Sequence, residues 1–259
     1  MKLNLLNRLI PIIWRENKVS LWTPIGILNH LISPLFYVLF FAITFASNIK
    51  IIEYQGYTFS YVEFFIPGLI AMQVFSLFGF TFSWVRIDFA TNLISVISTS
   101  PVGMDAYIIG KYLAMLSVTI VKTAILLLTG FLLTGKMLNM NLLSLGIFFI
   151  TLILGSLFWT NIGFICGIKV KREDVRDMIY SIVLLPITFL SSVYYDLTTA
   201  PLWIRIIGNI NPLTYITDLL RVTYLDIPIR DYTFLIFLII IAAISLIATI
   251  NALWKVSIK

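Results

Sequence analysis

Apolar residues run almost unbroken for about twenty positions at a time along this chain, and short polar segments separate the runs. A helix needs roughly 20 such residues to cross about 30 Å of hydrocarbon. Six runs qualify, at about 25–46, 61–85, 107–134, 142–168, 178–195 and 233–254, and each predicts a membrane-spanning helix. The leader, residues 1–24, has a different pattern: Leu6, Leu9, Ile10 and Ile13 recur at helical spacing, with Arg8, Arg15 and Lys18 among them and Trp14 toward one end. This predicts an amphipathic helix lying in the membrane interface, kinked at Pro11. Leader and first run together are too long for a cleaved signal.

Two connections carry patterns of their own. From Arg86 to Gly103, Phe89, Leu93, Val96 and Ile97 recur at helical spacing until Pro101 stops them, which predicts a short amphipathic helix at the membrane surface. Asp196 to Tyr232 is the longest piece that does not span. Pro201, Pro212 and Pro228 break it into apolar stretches, Leu202–Ile207 and Leu213–Leu225, too short to cross. These predict re-entrant helices that dip into one leaflet where the bundle satisfies their backbone. Lys169 to Asp177 is the densest charge cluster and reads either as a solvated turn or as a docking surface. No repeat or low-complexity linker divides the chain. The predicted fold is therefore one domain over 1–259, an all-α membrane protein of six transmembrane helices with the leader, the surface helix and the re-entrant helices added.

Basic residues set the orientation. Six spans put both termini on one side, which holds Lys2, Arg8, Arg15, Lys18, Arg86, Lys111, Lys169, Lys171, Arg172, Arg176, Lys255 and Lys259. The other side holds Lys50, Lys136, Arg205, Arg221 and Arg230. The excess places the termini in the cytoplasm, or in the stroma of a plastid.

Composition supports the membrane assignment: 60% hydrophobic and 12% charged residues, against roughly 45–50% and 25% in soluble domains. The net charge of +6 fits topology and phospholipid contacts, so no nucleic-acid partner is expected. One Cys and one His leave no disulfide within the chain and no cysteine-rich metal site, and no cofactor is expected. The two Gly-Lys pairs, Gly110-Lys111-Tyr112 and Gly135-Lys136-Met137, lack the Ser or Thr of a phosphate-binding loop, so ATP hydrolysis is not expected in this chain. Ser156 and His30 have no supporting motif for an intramembrane protease. Gly163-x-x-x-Gly167 predicts close helix packing. Lys122 is the one ionisable residue deep in a run, at a cost of roughly 2.5–3.5 kcal/mol on insertion scales. It predicts a bundle-facing cation, with Glu63 as a candidate structural partner. A self-sufficient secondary transporter or a small membrane enzyme is the alternative class, but coupling to protons would want further midplane acids.

Local motifs then bring in a family. Pro67-Gly68-Leu69-Ile70-Ala71-Met72, Ile97-Ser98-Thr99-Ser100-Pro101-Val102, Gly110-Lys111, Phe189-Leu190-Ser191-Ser192-Val193-Tyr194, Pro201-Leu202-Trp203 and Asn211-Pro212-Leu213-Thr214-Tyr215 with Asp218 and Arg221 occur in that order. Together they resemble the permease subunits of ABC-2 type exporters, nearer to the drug, lipo-oligosaccharide and antibiotic exporters than to the polysaccharide ones. The chain departs from many drug exporters at Asp88-Phe89-Ala90-Thr91-Asn92-Leu93-Ile94, where they carry an Arg-x-x-Gly-Thr-Leu-Glu type sequence. The resemblance implies a homodimeric permease in a bacterial, archaeal or plastid membrane. It further implies two copies of a separate ATPase subunit that hold ATP and magnesium, and an amphipathic or hydrophobic cargo. Arg86, Asp88, Asn92, Ser100 and Pro101 would then form a coupling helix that docks the ATPase, with Arg172, Glu173 and Asp174 beside it. Asn211, Pro212, Tyr215, Asp218 and Arg221 would sit at an external gate or satisfy exposed backbone there. Phe75, Phe78, Lys122 and Phe189 would line the substrate path between protomers.

Overall fold

Caps at the ends of the apolar runs decide where the helices begin. The computed structural model describes residues 4–44, 51–135, 140–229 and 231–257. The leader forms α1 (Leu5–Ser20), which stays helical through Pro11. Thr23 then accepts a hydrogen bond from the Gly26 amide at 3.0 Å, and Pro24, with no amide to lose, opens α2 (Pro24–Tyr37). Past Tyr37 the winding widens into a π-helical stretch, Val38–Ile43, so the first expected span is an interrupted helix. Residues 45 and 46 of that span lie outside the described residues.

A short hairpin follows, the one pair of strands among the described residues of a nearly all-helical chain. Its strands β1 (Ile51–Tyr54) and β2 (Tyr57–Ser60) are antiparallel, with Ile51 opposite Ser60 and Tyr54 opposite Tyr57. Gln55 and Gly56 make the turn at φ 52° and 82°, the left-handed pair a two-residue hairpin needs. Ser60 and Glu63 then cap α3 (Tyr61–Ala90) reciprocally: the Glu63 amide donates to Ser60 Oγ at 3.3 Å and the Ser60 amide to Glu63 Oε2 at 2.9 Å. Glu63 is thus committed to its own helix end and is not the partner of Lys122.

The expected surface helix from Arg86 to Gly103 is split. α3 continues to Ala90 and carries Arg86 and Asp88; Asn92, left-handed at φ 56°, turns the chain; and only Leu93–Thr99 form the short helix α4. An asparagine tolerates that conformation where most residues would not. Then come α5 (Gly103–Thr134) and α6 (Leu142–Lys169), the latter capped by Asn141. α7 (Glu173–Phe189) ends six residues before the fifth span was expected to end. Pro186 removes a backbone donor, and the Ser191 hydroxyl bonds the Thr188 carbonyl at 2.7 Å, turning the chain out of the helix. α8 (Leu202–Ile210), α9 (Pro212–Tyr224) and α10 (Thr233–Ser257) complete the described elements. Among the described residues four helical segments are long and apolar enough to cross a membrane: Tyr61–Ala90, Gly103–Thr134, Leu142–Lys169 and Thr233–Trp254.

α3 is the central pillar, packed by α5, α6 and α9, while α10 covers the other side of α6. Lipid tails are as apolar as the helices, so close packing and hydrogen bonds must hold the bundle. A Cβ on Gly163 would stand 2.6 Å from the Phe78 carbonyl oxygen and one on Gly167 2.8 Å from Val85 Cβ, so these glycines let α6 lie directly on α3. Asn161 ties three helices: it accepts from the Tyr112 hydroxyl of α5 and donates to Ser245 of α10 at 3.0 Å. Gly163→Val is therefore expected to destabilise the detergent-solubilised protein by about 1–3 kcal/mol through overpacking. Gly146→Ala on the same helix, with open space beside it, should be neutral or stabilising. Thermal unfolding of the two variants checks this.

Candidate functional site

Polar chemistry collects at both ends of the bundle and at one point between them. On the side of the termini α1 crosses α5 at Gly110, where a Cβ would meet Ile12 at 2.7 Å. Close approach brings four charges together. Asp88 and Lys111 are fully buried and Glu16 nearly so. Lys111 Nζ donates to Asp88 Oδ2 and to Glu16 Oε1, the latter at 3.2 Å. Arg15 donates to Asp88 Oδ1 at 2.8 Å and to Glu16 at 2.6 Å, and the Tyr107 hydroxyl donates to Asp88 Oδ2 at 2.7 Å. Two cations thus meet two anions, a balance that burial demands. Burial works against the Arg15 charge, but the hydrogen bond and charge of Asp88 outweigh it and hold the Arg15 pKa above its ordinary value. Farther along α1, Arg8 bonds the Val102 carbonyl at 2.6 Å and pairs with Asp105, and Asn17 accepts from Ser117 at 2.9 Å. The leader is therefore fastened to the ends of α3 and α5, beside α4.

Asp88, expected in the docking element, has no exposed surface in this chain and pairs with Arg15 and Lys111. Arg86 is half-exposed on the last turns of α3. Asn92 is exposed at the turn, Pro101 is exposed, and the half-buried Ser100 caps its own turn by donating to the Ile97 carbonyl at 2.9 Å. α4 buries Ile94 and Ile97 and exposes Ser95, Val96, Ser98 and Thr99. In the other connection on this side Arg172 and Asp174 pair through two hydrogen bonds, and the guanidinium holds the Asp174 carboxyl below its usual range. The side chains of Glu173 and His30 lie outside the described residues.

At the opposite end the Asn211 to Arg221 motif forms a knot. After α7 the chain from Leu190 to Tyr195 has left the helix, and its carbonyls need donors. Arg221, fully buried, supplies them: Nη2 donates to the Ser192 and Val193 carbonyls at 2.7 and 3.3 Å, and Nε to the Phe64 carbonyl at 3.1 Å. Its guanidinium lies 3.7 Å from the centre of the Phe64 ring, and Asp218 accepts from it at 3.2 Å and from Ser192 at 2.7 Å. Asn211 caps α9 through the Leu213 amide and donates to the Ile187 carbonyl at 2.7 Å, Pro212 fills the first helical position, and the Tyr215 hydroxyl bonds the Asn209 carbonyl. A Cβ on Gly68 would sit 2.5 Å from the Val193 carbonyl oxygen, so the Pro67-Gly68 pair is where α3 admits this turn.

Between the ends, Lys122 is 5% exposed and donates to Ser76 Oγ at 3.3 Å. Phe75 and Phe78, expected along the substrate path, are both buried between α3 and α6, Phe75 edge-on to Trp159 at 4.5 Å. Phe189 is half-exposed and stacks on Tyr194 at 5.1 Å. Sequence reasoning passed over Glu16, Tyr107 and Ser192 and took Arg15 and Lys111 for topology signals. The available clue was Glu16, the single acid of a basic leader.

A model of the family described as ABC-2 type transporter matches residues 8–225. The chain is 28% identical over 201 residues to an inner membrane transport permease, YadH, of Escherichia coli K12, covering 73% of each chain. A Shigella flexneri protein of the same name matches to the same extent. It is also 22% identical over 204 residues to the daunorubicin resistance ABC transporter permease protein DrrB1 of Streptomyces coeruleorubidus, covering 78% of this chain and 70% of that one.

The charge cluster yields a sharp expectation. Lys111→Met strands two buried carboxylates with one cation and should cost about 3–5 kcal/mol of stability. Adding Asp88→Asn removes the stranded charge and should recover a large part of that loss. A double-mutant cycle in detergent checks this; strictly additive losses would contradict the pairing.

Proposed function

The chain belongs to the ABC-2 type transporter family, and on that premise we propose that it is the membrane subunit of an ATP-driven exporter. It works as a dimer with two copies of a separate ATPase subunit, which bind ATP and magnesium, and both termini face the cytoplasm. The cargo is an amphipathic or hydrophobic molecule of drug, lipid or glycolipid type. The relative named for daunorubicin resistance supports that class.

One observation carries the reading: the leader α1 is fastened by ion pairs to the ends of α3 and α5, the two helices that α4 joins, and shares an apolar cluster with the buried face of α4. A force applied at α4 reaches two long helices and the interfacial leader together, as rocking of two bundles between inward- and outward-facing states requires. In this reading Ser95, Val96, Ser98 and Thr99 join Asn92, Ser100 and Pro101 as the docking surface, with Arg86, Arg172, Glu173 and Asp174 at its margin. Asp88 is a positioning residue that holds the surface in place. The Asn211 to Arg221 knot stiffens the external gate, and Phe189 is the exposed aromatic beside it.

Purification of the tagged chain from its native membrane tests the proposal. A separate ATPase should co-purify and hydrolyse ATP in the complex. Val96, 62% exposed on α4, offers the sharpest variant. Val96→Glu should insert into the membrane and melt like the wild type, yet lose ATPase co-purification or cargo-stimulated hydrolysis by tenfold or more, about 1.4 kcal/mol. Unchanged coupling would remove α4 from the interface, and purification without any ATPase would remove the exporter reading.

A further inference from the structure

Among the described residues three cations are buried, and two of them are accounted for: Lys111 by Asp88 and Glu16, Arg221 by Asp218 and three carbonyls. Lys122 is different. Its ammonium has three protons and among the described residues bonds one neutral acceptor, Ser76 Oγ, at 3.3 Å, with the Phe80 ring centre 5.9 Å away. Ser76 in turn donates its own proton to the Gln73 carbonyl at 2.7 Å. Among the described residues no carboxylate pairs with Lys122. The chain's twelve carboxylates are Glu16, Glu53, Glu63, Asp88, Asp105, Glu173, Asp174, Asp177, Asp196, Asp218, Asp226 and Asp231, and every one lies in a connection, in the leader or near a helix end. Glu63 is held in its cap.

The surroundings of Lys122 point the same way. α3 is buried along most of its length, but Ser76, Gly79, Phe80, Ser83 and Trp84 form one partly exposed stripe on it. This stripe sets two hydroxyls and a glycine beside two aromatic rings, a mixed polar and apolar face suited to an amphiphile. Lys122 stands against its upper end through Ser76 and Phe80. An ionisable residue at this depth marks a pathway or a bound partner rather than packing.

We propose that Lys122 is the counter-charge for an anionic amphiphile, a phosphate or carboxylate head on an apolar tail, which the α3 stripe admits to the bundle. The ammonium meets the head group, Ser76 adds a hydroxyl, and Phe80 lies against the first methylenes. The inference deepens the exporter reading by naming the charge of the cargo and rests on it for the direction of travel. Binding itself requires this chain alone, so a failed search for an ATPase and a failed binding test are separable.

The test uses the full chain in phosphatidylcholine nanodiscs and a diazirine-bearing dodecanoate as photo-crosslinking probe. Labelling should be saturable, map to α3 near Ser76–Ser83 or to α5 near Lys122, and be displaced by dodecyl phosphate but not by dodecyl trimethylammonium. Lys122→Met should lower labelling about tenfold and Lys122→Arg should retain it. Equal labelling of Lys122→Met, or equal displacement by the cationic amphiphile, would overturn the proposal. Because no acid of this chain is stranded by the change, Lys122→Met should melt at or above the wild type; a clear fall would reveal a structural ion pair and also overturn it. Partial replacement by phosphatidylglycerol separates the sources of the anion: loss of labelling identifies bilayer phospholipid as the occupant, and unchanged labelling a distinct anionic amphiphile.

Discussion

Asp88 and Lys111 have no exposed surface, and neither could remain charged there alone, because an unpaired ion in such surroundings costs several kcal/mol. Their pairing requires α3 and α5 to be in register at this depth. Completing the balance requires α1 to bring Glu16 and Arg15 down onto the same point. Gly110 removes the side chain that would hold α1 away. Once those three helices are fixed, the turn at Asn92 and the exposed face of α4 follow, since the chain has only Thr91 to Val102 in which to return from α3 to α5.

The opposite end solves a different problem with the same economy. Where α7 stops and the chain turns back, backbone carbonyls are left without helical partners inside the bundle, and lipid offers no donors. Arg221 meets two of them, and the Phe64 carbonyl of α3, with one planar fork, which a lysine could not do. Between these two finished clusters Lys122 has, among the described residues, one serine and the face of Phe80. That contrast, within one chain whose other buried charges are fully partnered, is why it stands out as a site for something the chain does not itself carry.

The long helices were legible because apolar runs and caps such as Ser60–Glu63 and Asn141 are local signals. Asp88 misled because an acid two residues from a helix end looks like surface; only its depth against Lys111 and Glu16, which are 23 and 72 positions away, makes it interior. The hairpin is short enough to hide between two apolar runs, although Ile51-Ile52-Glu53-Tyr54 and Tyr57-Thr58-Phe59 flank a Gln-Gly turn. The end of α7 was placed late because apolarity continues through Val193 and Tyr194 while the hydroxyls of Ser191 and Ser192 divert the backbone. The motif residues from Asn211 to Arg221 were readable as a cluster, but their targets are main-chain carbonyls of Ile187, Ser192, Val193 and Phe64, which no side-chain pattern reveals.

The central claim is that α1, α4 and the adjoining ends of α3 and α5 move as one body. Spin labels at Ile10 and Val96, both more than half exposed, in a chain with Cys166 replaced by serine, report it directly. Distances measured by double electron–electron resonance in the ATPase complex, with and without ATP, should show the Ile10–Val96 separation unchanged while the same label positions across the two protomers shift. A change in the Ile10–Val96 distance on ATP binding would contradict the account, because it would mean that the buried ion pairs release α1 during the cycle.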